Sequence, residues 1–371
     1  MRFLHTSDLH LGKRVNGFSM IDEQRHILRR LVNIAVENNA DAVIIAGDIY
    51  DKTQPSAEAV SLFDDFLCEL FAAKKTVLAI SGNHDSADRV AYGKRLFEGE
   101  GVFLSRPYDG DIQPVRFEDE YGKLNVFLLP YIKPSDVRNA LDEDVCDYDA
   151  AVRAATSRIS LDESERNVIV AHQFVTGAAL SDSEEMSVGG LENVGADAFS
   201  GFDYAALGHI HRAQSMAGGH IRYCGTPLKY SLSEVNQVKS ASIVDILEKG
   251  KVEIRQIELK PMRDMRRISG SFAELMSADA QSEDWLEIAL TDEREIPDAI
   301  RKLRLYYPNI MKLTYENIAR KDFSAGETSI KRIGPTEMFT QFFKKVNGRE
   351  LCDSQKEYVE KIMREISEDM L

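Results

Sequence analysis

Five short segments hold most of the residue types that ligate metals or move protons. They are Asp8-Leu9-His10, Gly47-Asp48-Ile49-Tyr50-Asp51, Gly82-Asn83-His84-Asp85, His172, and Gly208-His209-Ile210-His211. One Gly-Asp or one His pair is most often a satisfied turn; five such segments, each placed after a short apolar run, point instead to a shared site. Residues two apart in extended chain face the same side. Asp8 and His10 are therefore expected to point together at one ion, as are His209 and His211. Glycines at 47, 82 and 208 are expected to permit tight turns directly after their strands. Mixed Asp, His and Asn ligation suits manganese, iron or zinc better than calcium. The candidates Asp8, His10, Asp48, Asn83, His172, His209 and His211 exceed what one tetrahedral ion takes. Two ions sharing a bridging carboxylate fit better. Such pairs lie ~3.5–4 Å apart and clamp the attacking and leaving oxygens of a displacement at phosphorus.

The elements that must position these residues can be read from the apolar pattern. Strands are predicted at Arg2–Thr6, Ala42–Ala46 and Thr76–Ile80, with helices over Ile21–Glu37 and Ser56–Ala73 between them. Strands follow at Val102–Leu104, Val115–Phe117, Leu124–Leu129, Asn167–Ala171 and Tyr204–Leu207, with a helix over Asp149–Ile159. The segments Ile221–Cys224, Ala241–Leu247 and Val252–Leu259 alternate with period two, so the domain is expected to finish antiparallel. The fold class is α/β, with two packed sheets between helical layers. All five candidate segments then fall at carboxyl ends of strands, where open α/β sheets bind ligands. After Lys260-Pro261 the character changes to a small βαβαβ unit: strands at Arg266–Gly270, Trp285–Leu290 and Ile310–Tyr315, helices at Ser271–Ser277 and Pro297–Leu305. The predicted domains are 1–260, 261–319, a polar linker at 320–335, and two amphipathic helices within 336–371, at Thr336–Val346 and Ser354–Ile366.

The chain has 371 residues, 43% hydrophobic and 29% charged, a globular balance that excludes a disordered or fibrous protein. No apolar run approaches the ~20 residues of a spanning helix. The start turns polar too soon for a secretory signal. Cys68, Cys146, Cys224 and Cys352 show no C-x-x-C pairing. A reduced protein of the cytoplasm, with no membrane partner, is the expectation. The formal charge of −15 argues against a surface coated with phosphate-binding cations. Most of that charge lies before residue 260, and the remainder carries basic clusters such as Arg263/Arg266/Arg267.

Asp-x-His, Gly-Asp-x-x-Asp, Gly-Asn-His-Asp, a lone His and Gly-His-x-His, in this order, resemble the calcineurin-like metallophosphoesterases. Thr6-Ser7-Asp8-Leu9-His10-Leu11-Gly12, Ser187-Val188-Gly189-Gly190, Asp203 to His211 and Gly225-Thr226-Pro227-Leu228-Lys229-Tyr230-Ser231 are more narrowly similar to the bacterial SbcD family of nuclease subunits. The resemblance implies an α/β/β/α sandwich, a capping domain at 261–319, and a C-terminal helix–loop–helix that binds the coiled coil of an SMC-like ATPase, SbcC. It implies double-strand 3'-5' exonuclease and single-strand or hairpin endonuclease activities on DNA, and a homodimer within a heterotetramer. Manganese is the expected cofactor, as two ions, with magnesium, iron or zinc as alternatives. Asp8, His10, Asp48 and His211 would hold the first ion. Asp48, Asn83, His172 and His209 would hold the second, with Asp48 as the bridge. His84 would stand beside the scissile phosphate as the catalytic residue. Asp51 and Asp85 would orient ligand imidazoles from behind. Lys13, Arg14 and Arg89 flank the motif loops and are candidates for phosphate contact.

Two other readings compete. A phosphodiesterase acting on small esters or cyclic nucleotides would need neither the capping unit nor the terminal helices. A non-catalytic scaffold would be expected to have lost ligand positions, and here none is missing. The acidic balance implies that an ATPase partner and the metals supply much of the grip on DNA.

Overall fold

The computed structural model describes residues 1–179, 192–277 and 281–317, with 339–340, 343–344, 350–351, 355–356 and 358–359 beyond them. The chain divides into two compact units, Met1–Tyr315 and Glu316–Leu371.

The first unit opens with β1 (Arg2–Thr6), α1 (Ile21–Glu37), β2 (Ala42–Ala46), α2 (Ala57–Ala72), β3 (Thr76–Ile80) and β4 (Val102–Leu104). It continues with β5 (Val115–Asp119), β6 (Gly122–Leu128), α3 (Pro134–Leu141), α4 (Tyr148–Ser157), β7 (Arg166–His172) and β8 (Tyr204–Gly208). Then come β9 (Gln214–Met216), β10 (Ile221–Tyr223), β11 (Ser240–Ile246) and β12 (Val252–Glu258). One six-stranded sheet runs β12-β11-β1-β2-β3-β4, parallel from β1 to β4; the other runs β9-β10-β8-β7-β6-β5, parallel from β10 to β6.

The β2 sequence shows why the sheets stack. All five residues of Ala-Val-Ile-Ile-Ala are buried, so both faces must be covered. Ala42, Ile44 and Ala46 join Phe3, Leu78, Val126, Val168 and Tyr204 in the core between the sheets. Val43 and Ile45 point the other way, into a second core with Ile27, Leu31, Phe63 and Phe66 of α1 and α2. On the far sheet, Ile169 and Ala205 pack against Ala151, Val152 and Ala155 of α4. The result is the four-layered α/β/β/α arrangement. The α2 start is fixed by Ser56, whose Oγ accepts from the Ala59 N–H at 3.2 Å.

The finish is only partly antiparallel. β11 pairs antiparallel with β1 and β12, but β10 runs parallel to β8. All three β10 residues are buried, and an alternating sequence does not reveal a strand covered on both faces. A three-stranded parallel sheet follows, β13 (Met265–Gly270), β14 (Trp285–Leu290) and β15 (Ile310–Tyr315), with its own core of Leu286, Ile288, Leu303, Tyr307 and Ile310. In the second unit, Lys344 Nζ donates to Glu350 Oε1 at 2.8 Å, and Phe339 and Tyr358 are exposed. The predicted linker at 320–335 lies outside the described residues, as does most of the two predicted helices.

Candidate metal centre

β1, β2, β3, β7 and β8 end at one level: Thr6 pairs with Ile45, Ala46 with Ile80, and Gly208 with His172. The ladder between the first two loops persists past the strands, through Asp8 N–H to Gly47 O and His10 N–H to Asp48 O, both 3.0 Å. Here the chain departs from extended geometry. Asp8, His10, Asp48 and His209 have φ of +52°, +44°, +48° and +95°, a region that side chains avoid unless the surroundings hold them there. Asp8 and His10 therefore converge through a left-handed turn, not through the strand pleat expected from their spacing. His209 and His211 face different neighbours: His209 Nδ1 lies 3.1 Å from Asn83 Oδ1, and His211 Nε2 lies 3.2 Å from His10 Nε2.

The glycines have two separate roles. Gly47 has φ +86°, and a Cβ there would stand 2.3 Å from His172 Nδ1. Gly82 and Gly208 have no such φ; they are small because a Cβ would meet Asp48 Oδ1 at 2.1 Å and the Ala46 carbonyl at 1.9 Å. Close approach of the loops, more than turn geometry, sets the residue type.

Asp8, His10 and His211 bring one ligand atom each within 4.8 Å of one another; so do Asp8, Asp48 and His172, and so do His10, Asp48 and His84. Asp48 is central, with Oδ2 at 3.4 Å from His172 Nε2, 3.7 Å from His10 Nε2 and 4.0 Å from His84 Nε2. Asn83 Oδ1 lies 3.0 Å from His172 Nε2 and 3.1 Å from His209 Nδ1. The Asp8 and Asp48 carboxylates are buried, and among the described residues their charged neighbours are histidines, with no Lys or Arg in ion-pair range. Buried carboxylates lacking a fixed cation are costly unless an ion supplies the charge. Among the described residues, the buried His10 Nδ1 has no hydrogen-bond partner. This donor set fits two transition-metal cations.

Three of the imidazoles, His172, His211 and His209, have partners behind them. His172 Nδ1 donates to the Ala46 carbonyl at 2.8 Å, which turns Nε2 inward. His211 Nδ1 lies 3.6 Å from Glu234 Oε1, and Glu234, fully buried, pairs with Lys239 Nζ at 2.6 Å. His209 Nε2 lies 4.0 Å from Glu192 Oε2, and the Tyr131 ring stacks on His209 at 6.4 Å between centroids. Burial would lower the His172 pKa, but the Asp48 and Asp8 carboxylates outweigh it and raise it to about 9. Asp48 is held well below the usual carboxylate range because the His172 charge overrides its burial. Burial, with the His172 charge beside it, pushes His209 down to about 3. Burial likewise keeps His10 low.

The remaining predicted residues divide by role. His84 Nδ1 donates to the Asp51 carbonyl at 3.1 Å, its N–H donates to Asp48 Oδ1 at 2.9 Å, and its half-buried Nε2 faces the centre. Asp51 Oδ1 is 3.8 Å from His10 Nδ1 but 2.7 Å from Lys13 Nζ. Lys13 is thus committed to Asp51, whereas Arg14 and Arg89 are exposed. Among the described residues, Asp85 meets backbone N–H groups and no imidazole. It accepts backbone N–H groups from Ile49, Tyr50 and Gly82 at 2.9–3.0 Å and so ties the second loop to the third. Burial and the Asp48 charge raise it to about 6 against those bonds. Glu234, Lys239 and Tyr131 are additions that sequence reasoning misses. Nothing in their local sequence marks them, since their roles come from strands distant in the chain.

The calcineurin-like phosphoesterase family model matches residues 1–213, and the Type 5 capsule protein repressor C-terminal domain model matches 261–347. The chain is 30% identical over 374 residues to the SbcD subunit of the nuclease SbcCD from Staphylococcus epidermidis, covering 98% of each. The chain belongs to the SbcD branch of the calcineurin-like phosphoesterases. Among solved structures, a dimetal phosphatase from Danio rerio is similar at TM-score 0.44 and 15% identity, over 70% of this chain and 99% of that one. A Thermus thermophilus protein is similar at TM-score 0.41 and 14% identity, over 69% and 98%.

Proposed function

We propose that this chain is the nuclease subunit of an SbcCD-type complex, a two-cation phosphodiesterase that hydrolyses DNA. The observation that carries the reading is the convergence of five strand exits on buried carboxylates that, among the described residues, have no Lys or Arg in ion-pair range. Asp8, His10, Asp48 and His211 would hold one cation, and Asp48, Asn83, His172 and His209 the other, with manganese the favoured metal. When bound, the cations supply positive charge for the oxygens of an in-line displacement at phosphorus. Asp48, whose Oδ2 lies near both His10 and His172, would serve both cations. His172 and His211 are held in fixed tautomers by Ala46 and Glu234. His84, its Nδ1 proton committed to Asp51, presents Nε2 to the scissile phosphate, where it holds a proton for the leaving oxygen.

The reading extends to double-strand exonuclease and single-strand or hairpin endonuclease activities. It includes a homodimer joined to an SMC-like ATPase through residues 336–371, with 261–319 as a cap over the cleft, at work in the cytoplasm. Among the described residues no helix is long and apolar enough to cross a membrane. The test is digestion of blunt, hairpin and single-stranded DNA with added manganese, with and without the ATPase. Cleavage abolished by a chelator is expected. Robust turnover of a small aryl phosphodiester with no DNA cut would contradict it.

A further inference from the structure

Two pairs of neighbouring residues connect the segment 263–265, which leads into the first strand of the three-stranded sheet, to the loop that bears His10. In α1, Glu23 and Gln24 are both buried but serve opposite sides. Glu23 accepts from Arg263 Nε at 2.6 Å and from the Arg263 N–H at 3.2 Å. The Arg263 guanidinium sits 4.9 Å from the centre of the Trp285 ring. Gln24 Nε2 donates to the His10 carbonyl at 2.7 Å and the Leu9 carbonyl at 3.3 Å, while its Oε1 accepts from the Gly12 N–H at 3.0 Å. The second pair is Lys229 and Tyr230. Lys229 Nζ donates to Asp264 Oδ1 at 2.8 Å and to the Met265 carbonyl at 3.1 Å. Tyr230 Oη donates to the Leu9 carbonyl at 2.5 Å and accepts from Gln24 Nε2 at 3.1 Å.

The Leu9–His10 peptide is thus gripped by two buried side chains, and each adjoins in sequence a residue fastened to 263–265. His10 stands at φ +44°, a conformation that persists only while its surroundings impose it. We propose that the seating of residues 263–265 positions the His10 ligand, with Gln24 and Tyr230 as positioning residues and Glu23–Arg263 and Lys229–Asp264 as the ties. The inference rests on the cation-binding reading of the site. It makes cation affinity depend on a segment that contributes no ligand, because a shift of 263–265 is passed to the His10 carbonyl through single peptide steps.

The experiment is calorimetric titration of the full chain with manganese alone, alongside thermal melts. Tyr230→Phe is expected to weaken one of the two sites about tenfold, the range seen when groups behind a ligand are removed. The paired variant Glu23→Gln/Arg263→Met, which removes both charges together, is expected to do the same. Combined with Tyr230→Phe it should cost less than the product of the two effects, as coupled positions do. Excess manganese should restore DNA cleavage. If the paired variant does not fold, Lys229→Met serves, since it leaves the Glu23–Arg263 pair intact. Folded tie variants with wild-type affinity, or fully multiplicative effects, would overturn the coupling alone. A wild-type chain that binds no manganese pair would overturn the reading of the site itself.

Discussion

His172, a proposed ligand, is set by the protein's own groups. Its Nδ1 proton is committed to Ala46, and two carboxylates keep its other nitrogen protonated up to about pH 9. The sign follows from linkage. A folded pKa raised above 6.5 gives the cation-free chain stability that is complete below pH 6.5 and is lost as pH rises through about 9. An ion needs the neutral imidazole, so binding must expel that proton. Manganese affinity should therefore rise about tenfold per pH unit between pH 7 and 9, with release of about one proton in calorimetry across buffers of different ionisation enthalpy; uptake indifferent to pH would refute it. Asp48→Ala should abolish binding of both ions, since its Oδ2 lies between the two histidine sets; metal analysis that still finds two would remove the bridge. His84→Ala should keep both ions while the cleavage rate falls about 10²–10⁴-fold. An unchanged rate would exclude His84 from the reaction.

The strands are legible in the sequence because their apolar runs are bounded by turns, and β2, β3, β14 and β15 begin and end at the residues expected. The loops are legible as motifs but not as geometry. Spacing alone implies a pleated Asp8–His10 pair, whereas the left-handed turn depends on the second loop lying alongside. α3 escapes the apolar pattern although Pro134 at its first position is a start signal. Its eight residues are too few to display a helical period against a polar background. Asp85 departs from its expected role for a similar reason. The choice between an imidazole and three backbone N–H groups is made by a tertiary approach of loops. That approach can be tested at Gly208. A methyl group there would sit 1.9 Å from the Ala46 carbonyl, so Gly208→Ala should destabilise the chain by about 1–3 kcal/mol and weaken manganese binding. A melting temperature equal to wild type would show that the sheets can separate at no cost.

At the scale of the whole molecule, the acidic balance and the basic clusters must be reconciled with a polyanionic substrate. Several of the cations are already committed: Lys13 to Asp51, Arg263 to Glu23 and Arg266 to Asp284. The isolated chain should therefore bind DNA weakly and with steep salt dependence, and tight binding at physiological salt without a partner would contradict this. Deleting residues 336–371 should leave metal-dependent cleavage of single strands intact and abolish pull-down of the ATPase. Both expectations presuppose one arrangement, a pair of cations seated among β1, β2, β3, β7 and β8. Anomalous diffraction from manganese-soaked crystals tests it most directly. The expected result is two peaks ~3.5–4 Å apart with Asp48 between them; a single peak, or two peaks with Asp48 turned away, would contradict it.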